Sequence, residues 1–190
     1  MSNKRLHRAA TFDRLYKADP DPWDFLTSTY EREKRKETLS ALGGRTFDRG
    51  LEVGCATGVL TAELATHCRT LLAVDVSEIA IEIARHRLAG LAHVNTQIAH
   101  IPEQWPSGKY DLIVLSEVLY FLQPTEVAKV AAYAMSELET GGICLLVNWI
   151  GPSDTELSGN QAAELFRNSD GWKSNQHQSF DLYRIDVLAK

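Results

Sequence analysis

From residue 50 to residue 149, strand-length apolar runs alternate with amphipathic stretches, and few chain architectures satisfy that alternation. The runs predict strands at 50–54, 70–75, 93–99, 110–116 and 142–149, with helices at 58–67, 78–88 and 124–138. Strands joined through helices run parallel, and a parallel sheet needs both faces covered, because each crossover lays a helix on one of them. The expected fold class is therefore α/β, a central and mostly parallel sheet with helices on both faces. A short helix near 160–167 and a terminal pair at roughly 172–179 and 181–188, apolar at Leu182, Ile185, Val187 and Leu188, predict a C-terminal antiparallel hairpin at the sheet edge. Ahead of the first strand, residues 5–17 are weakly amphipathic, and the prolines of Ala18-Asp-Pro-Asp-Pro22 break any helix. Ser28 or Thr29 can then cap a charged helix over 30–39 that stops at Gly43-Gly44. With no repeat and no low-complexity linker, residues 1–190 are expected to form one domain, 1–45 a helical cover and 46–190 the core.

Composition narrows the partners. The 190 residues are 44% apolar and 24% charged, which suits a soluble globular protein with a sizeable core. A net charge of −5, from 20 basic and 25 acidic residues, is the opposite of the footprint of a nucleic-acid binder. The strongest apolar runs, Leu112–Leu115 and Ile143–Val147, fall far below the ~20 residues that span a bilayer, so no membrane partner is expected. Cys55, Cys68 and Cys144 are an odd count with no CxxC, which argues against a disulfide framework or a metal site and for a reducing compartment, the cytoplasm. The basic start has no apolar run behind it before Asp13 and Arg14, so no secretion signal is expected. Nothing in the pattern marks an oligomeric state.

The densest chemical signal is Leu51-Glu-Val-Gly-Cys-Ala-Thr-Gly58, a strand end, then small residues at Gly54, Ala56 and Gly58, then a helix. A dinucleotide fingerprint, G-x-G-x-x-G, bares backbone to a pyrophosphate at a helix N-terminus. This chain spells E-x-G-x-A-x-G, and the acidic Glu52 favours a nucleoside cofactor without phosphates over NAD. Seventeen residues after Gly58 the second strand ends in Asp75, followed by Val76 and Ser77; a carboxylate there can accept from both ribose hydroxyls, or can simply cap the next helix. Tyr110–Leu122 runs a buried strand into Ser116 and Glu117, at the carboxyl edge where open α/β sheets bind ligands.

The series E-x-G-x-A-x-G, V-D-V-S, Y-D-L-I-V-L-S-E-V and L-x-x-G-G resembles the class I S-adenosylmethionine-dependent methyltransferases over residues 50–149. More narrowly, Asp21-Pro-Trp23, Tyr30-Glu31 with Lys34, and Ser116–Leu122 look like the nodulation protein S family of N-methyltransferases. The resemblance implies the Rossmann-like class I methyltransferase fold, S-adenosyl-L-methionine as cofactor and S-adenosyl-L-homocysteine as product. It further implies that Glu52, Gly54, Ala56 and Gly58 shape the methionine and ribose pocket, that Asp75 binds the ribose and that Val76 lies along the adenine. Relatives often place an acid after the third strand against the adenine amino group; here Ala99-His100-Ile101 stands there, leaving His100 to bond the adenine edge or face solvent, and Ile101 to add apolar contact.

The cover supplies the remaining candidates. Trp23 is either a plug that anchors it or an aromatic wall of the pocket. Tyr30 and Lys34 share a helix face, and Lys34 could pair with the cofactor's carboxylate, although a run like Glu31–Glu37 is usually a solvated face. With Ser116 these complete the cofactor-binding set, while Cys55 reads as packing. Glu117, with Tyr120 or Trp149 lining the approach, is the catalytic candidate: a carboxylate there would draw in an ammonium and take its proton, or else pair with a basic residue of the cover. The expected reaction is N-methylation of a small molecule, an amino sugar or chitooligosaccharide. The competing readings are an O-methyltransferase, a nicotinamide oxidoreductase and a non-catalytic cofactor-binding subunit.

Overall fold

The computed structural model describes residues 2–190. Its strands are β1 (Phe47–Val53), β2 (Cys68–Asp75), β3 (Val94–Ile98), β4 (Tyr110–Ser116), β5 (Leu138–Trp149), β6 (Ser174–Ser179) and β7 (Tyr183–Ala189). Its helices are α1 (Ser2–Ala18), α2 (Thr29–Ser40), α3 (Val59–Leu64), α4 (Glu78–Leu88), α5 (Pro124–Glu137) and α6 (Gly159–Arg167). The strands make one sheet in the order β3-β2-β1-β4-β5-β7-β6. The first five pair in parallel, and β7 lies antiparallel to both β5 and β6. This is the α/β architecture the alternation predicts.

Period-2 burial explains why β4 is central. Leu112 and Val114 pack on one face with Leu42, Leu64 and Ala65, whereas Ile113 and Leu115 pack on the other with Val127, Val130, Ala131 and Ala134 of α5 and Phe166 of α6. Helix α5 starts on Pro124 behind a capping box formed by Gln123 and Glu126, so the N-terminal end of its apolar stripe is fixed.

Two elements, α3 and β5, differ from expectation in their bounds. The terminal pair forms the expected antiparallel hairpin at the sheet edge, with β7 against β5 and β6 outermost. The reason is composition, since Tyr183–Ile185 and Leu188 are buried while β6 reads Ser-Asn-Gln-His-Gln-Ser and tolerates an exposed edge. Helix α3 ends at Leu64, and one 3-10 turn, Ala65–His67, carries the chain into β2. Strand β5 begins at Leu138, and its register with β4 shifts before Ile143, where Gly141 takes φ +84°.

The cover is seated on the core by the apolar contacts of Tyr30, Leu39 and Leu42 and by polar contacts. Helix α1 packs on α4, with the Asp13 carboxylate accepting from the Ser77 hydroxyl at 2.6 Å, and Arg8 bonds Glu126 at 2.9 Å. Ser28 caps α2, its hydroxyl accepting from the Glu31 N–H at 3.3 Å. The charged run of α2 is not a solvated face throughout: Glu31, Lys34 and Thr38, at i, i+3 and i+7, are buried. None of the described helices is long and apolar enough to cross a membrane.

Candidate active site

Strands β1, β2 and β4 end at one edge, where β1 parts β2 from β4 and the chain order reverses, the place where open α/β sheets bind ligands. A cavity of about 760 Å³ lies there, floored by the strand ends and roofed by residues of α1, α2 and the segment between them. That volume is within the roughly 300–1,000 Å³ of small-molecule sites.

Glu52 faces this cavity from β1 and is fully buried, and among the described residues neither of its oxygens has a donor in hydrogen-bond geometry. Burial pushes its carboxyl up to about 7, offset in part by Thr61, whose hydroxyl is itself unpartnered, and reinforced by Asp75. Asp75 accepts from the Ala56 and Ser77 N–H groups, both at 2.9 Å. Burial raises its carboxyl above the ordinary range while those N–H groups hold it down. The helix cap is Ser77, which accepts from Ala80 at 3.2 Å, so Asp75 does not take the capping role; it ties the small-residue turn to the end of β2.

The glycines divide their work. Gly54 has φ +85°, and a Cβ there would sit 2.2 Å from Val118 Cγ2 and 2.4 Å from the Ser116 carbonyl oxygen, so the residue lets β1 and β4 close up at the cavity floor. Gly58 has φ +79°, does not line the cavity, and faces Ala84 and Leu88, where a Cβ would be 3.2 Å from each; its bareness serves α3–α4 packing. Ala56, at φ +49°, takes a left-handed conformation that is rare outside glycine, held by the Asp75 bond. Val76, Ala99, His100 and Ile101 line the cavity beyond Asp75, with the His100 backbone N–H bound to Gln104 at 2.9 Å.

At the opposite end stands a charged cluster. Lys34 donates to Glu31 at 2.9 Å and to Glu117 at 2.8 Å, and it is nine-tenths buried. Burial works against its charge, but Glu117 and Glu31 outweigh it and raise its pKa. Lys34 therefore has two internal counter-ions, as a buried ammonium requires, and it lines the cavity in which the sequence reading places the cofactor's carboxylate. Glu117, at φ +56°, accepts at Oε2 from the Tyr120 hydroxyl (2.9 Å) and the Trp149 N–H (2.6 Å). The pairing of Glu117 with a cover cation, one of the alternatives in the sequence, is thus realised. Tyr120 is driven upward by burial and then by Glu117, and stays a phenol. Tyr30 stands edge-on to Trp149 and Tyr183, its hydroxyl buried without a partner and its pKa pushed up to about 12 by burial.

Trp23 is 40% exposed and so is no core plug; its ring meets Phe12, Tyr16 and Phe25 within the cover and lines the cavity. Sequence reasoning missed Arg8, Phe12, Tyr16, Phe121, Ser153 and Asp154, which line the same space. Phe12 and Tyr16, four apart on α1, were the detectable signal; the 150–158 segment carries no pattern.

A seven-stranded sheet in this order, with an acid-floored cavity over its carboxyl edge, defines a class I S-adenosylmethionine-dependent methyltransferase fold. Within that class the chain belongs to the Nodulation protein S (NodS) family, whose profile matches residues 10–142. It is 33% identical to Nodulation protein S of Sinorhizobium fredii (strain NBRC 101917 / NGR234) over 136 residues, 70% of this chain and 63% of that protein. It is likewise 33% identical to Nodulation protein S of Bradyrhizobium diazoefficiens over 147 residues, 76% of this chain and 65% of the relative. The chain thus spans just under two thirds of the length of these relatives. The crystal structure of N-methyltransferase NodS from Bradyrhizobium japonicum WM9 in complex with S-adenosyl-L-homocysteine superposes with a TM-score of 0.82 at 25% identity, covering 95% of this chain and 96% of that one. At 15% identity, magnesium protoporphyrin IX methyltransferase from Synechocystis PCC 6803 shares the fold, with a TM-score of 0.72.

Proposed function

We propose that the protein transfers the methyl group of S-adenosylmethionine to the nitrogen of a small polar amine, an amino sugar or the free amino end of a chitooligosaccharide. One observation carries this reading: the acceptor end of the cavity holds two carboxylates, the buried Glu31 and the partly buried Glu117, against one ammonium, Lys34. An uncompensated negative charge in a buried site attracts a cation and gives a phenol or carboxylic acid nothing. The aromatic rings of Tyr30 and Trp149 beside it suit the apolar face of a sugar ring.

The other end suits the cofactor. Glu52 offers an orphaned carboxyl to a cationic ligand, Asp75 keeps lone pairs free for ribose hydroxyls beside its two backbone donors, and Val76, His100 and Ile101 form the adenine side. Bound S-adenosylmethionine supplies a methyl group already activated on a sulfonium. The chain's own contribution is to align the acceptor and exclude water, effects that reach on the order of 7–11 kcal/mol in well-oriented systems. Three buried thiols fit a reducing, cytoplasmic setting.

Transfer of a labelled methyl group to a panel of amino sugars, free amines, catechols and carboxylic acids tests the reading. Labelling of amino sugars is expected; transfer confined to catechols or acids overturns it.

A further inference from the structure

The charged cluster contains one more carboxylate than it needs, and its two carboxylates are not equivalent. Glu117 is engaged at both oxygens: Oε1 accepts from Lys34, and Oε2 accepts from the Tyr120 hydroxyl and the Trp149 N–H. Three donors, one of them an ammonium, occupy three of the roughly four lone-pair sites of a carboxylate and tie this group into the wall of the site. Glu31 accepts a single hydrogen bond among the described residues, from Lys34 to Oε1 at 2.9 Å, and Oε2 accepts none. Its carboxyl lines the cavity and its side chain is nine-tenths buried.

We infer that Glu31, not Glu117, is the base that takes the proton of the incoming ammonium, while Glu117 holds Lys34, Tyr120 and the Trp149 backbone in place around it. The inference rests on the amine reading above. In the step, the acceptor R–NH3+ gives a proton to the Glu31 carboxylate. The freed lone pair on nitrogen forms the N–C bond as the C–S bond breaks with its electron pair left on sulfur, and the proton on Glu31 leaves to solvent before the next turnover. Protonating Glu31 takes the cluster from a net charge of −1 to neutral and leaves the Lys34–Glu117 pair intact.

The groups around Glu31 fit this assignment. From α2 it meets Lys34, Arg35 and Tyr30; from the turn after β4, Glu117 and Tyr120; from β7, Tyr183. Burial raises the Glu31 carboxyl above its ordinary range, Lys34 lowers it, and Glu117 adds to the rise. A carboxylate so raised holds a proton more readily than an ordinary one, as a base in this position must.

The test pairs kinetics with a readout that needs no turnover. With D-glucosamine and a de-N-acetylated chitooligosaccharide as acceptors, Glu31→Gln is expected to lose about 10²-fold in rate at pH 7 and to recover as rising pH deprotonates the amine. Glu31→Asp should restore part of the loss, whereas Glu117→Gln should raise KM and lower Tm yet keep the acid limb of the pH profile. In parallel, 13C carboxyl NMR of the intact protein with S-adenosylhomocysteine should show a raised glutamate titration that vanishes in Glu31→Gln and persists in Glu117→Gln, distinct from that of Glu52, which vanishes in Glu52→Gln. An acid limb unchanged in Glu31→Gln, or a raised titration lost in Glu117→Gln instead, overturns the assignment while the amine reading stands. Wild-type transfer to catechols or acids alone overturns the amine reading itself.

Discussion

Glu52 is the residue whose chemistry differs most from its behaviour in water. Its carboxyl moves from an ordinary 4.5 to about 7 through burial. The folded protein therefore holds this proton over a range where the unfolded chain has released it, so the stability it contributes is full below pH 4.5 and lost as pH rises through about 7. The difference amounts to roughly 3 kcal/mol. Thermal unfolding across pH 5–8 should show this decline in the wild type and a flatter profile in Glu52→Gln. A cationic ligand favours the ionised carboxyl, so calorimetry of S-adenosylmethionine binding near pH 6 in buffers of different ionisation enthalpy should report proton release, absent in Glu52→Gln. Asp75 behaves differently, because its carboxylate is already engaged with Ala56 and Ser77. Asp75→Ala should weaken cofactor affinity by roughly 1.5–3 kcal/mol, the range for hydrogen bonds to a charged group, and should also lower apo stability, since it unties the turn. Equilibrium binding and denaturant titration on one sample separate the two losses.

At the scale of elements, the small-residue turn is a joint as much as a cradle. Gly58→Ala would put a methyl 3.2 Å from Ala84 Cβ and Leu88 Cδ1 at φ +79°. The left-handed backbone alone costs about 1–2 kcal/mol in a non-glycine residue, so denaturant unfolding should show at least that loss. Cofactor affinity should change less than in Gly54→Ala, whose methyl meets the Ser116 carbonyl at the cavity floor. The sequence pattern of strands and helices was enough to predict β1 to β5 and their crossovers, because the apolar runs are long and the turns carry glycine or capping residues. The edge hairpin was legible too, but not which of its strands lies against β5: that depends on which strand can be buried on both faces, and Leu182, Ile185, Val187 and Leu188 suit either position. The site divides the same way. Glu52, Gly54, Asp75 and Glu117 follow from being at the strand ends, whereas the inward turn of Glu31 and Lys34 depends on how α2 is rotated, which a charged run does not encode.

For the whole molecule, the question is how ligands reach a cavity roofed by α1 and α2. Among the described residues the cover has no strand pairing to the sheet; its α1 half is attached by Arg8–Glu126, Asp13–Ser77 and the edge-on contact of Phe12 with Phe121 at 5.1 Å, and its α2 half by Lys34–Glu117, Arg35–Glu63 and the packing of Tyr30, Leu39 and Leu42. Opening it breaks these contacts and leaves the sheet whole, which places the cover at the low end of the protein's local stabilities. Ligands that touch Tyr16 and Trp23 on one side and Asp75 on the other bind only the closed form. At a ligand concentration of 100 times Kd, closure gains about 2.7 kcal/mol, so proteolysis that depends on opening should slow by about 100-fold. The expected cut is in the proline-bounded segment 19–28, between α1 and α2. Arg8→Ala with Asp13→Ala should accelerate that cut in the absence of ligand without shifting the unfolding of the sheet, since both side chains act at the seam. Equal cleavage with and without S-adenosylhomocysteine would make the cover a fixed layer, and the acceptor would then have to enter past Trp149 and Ser153 at the other rim of the cavity.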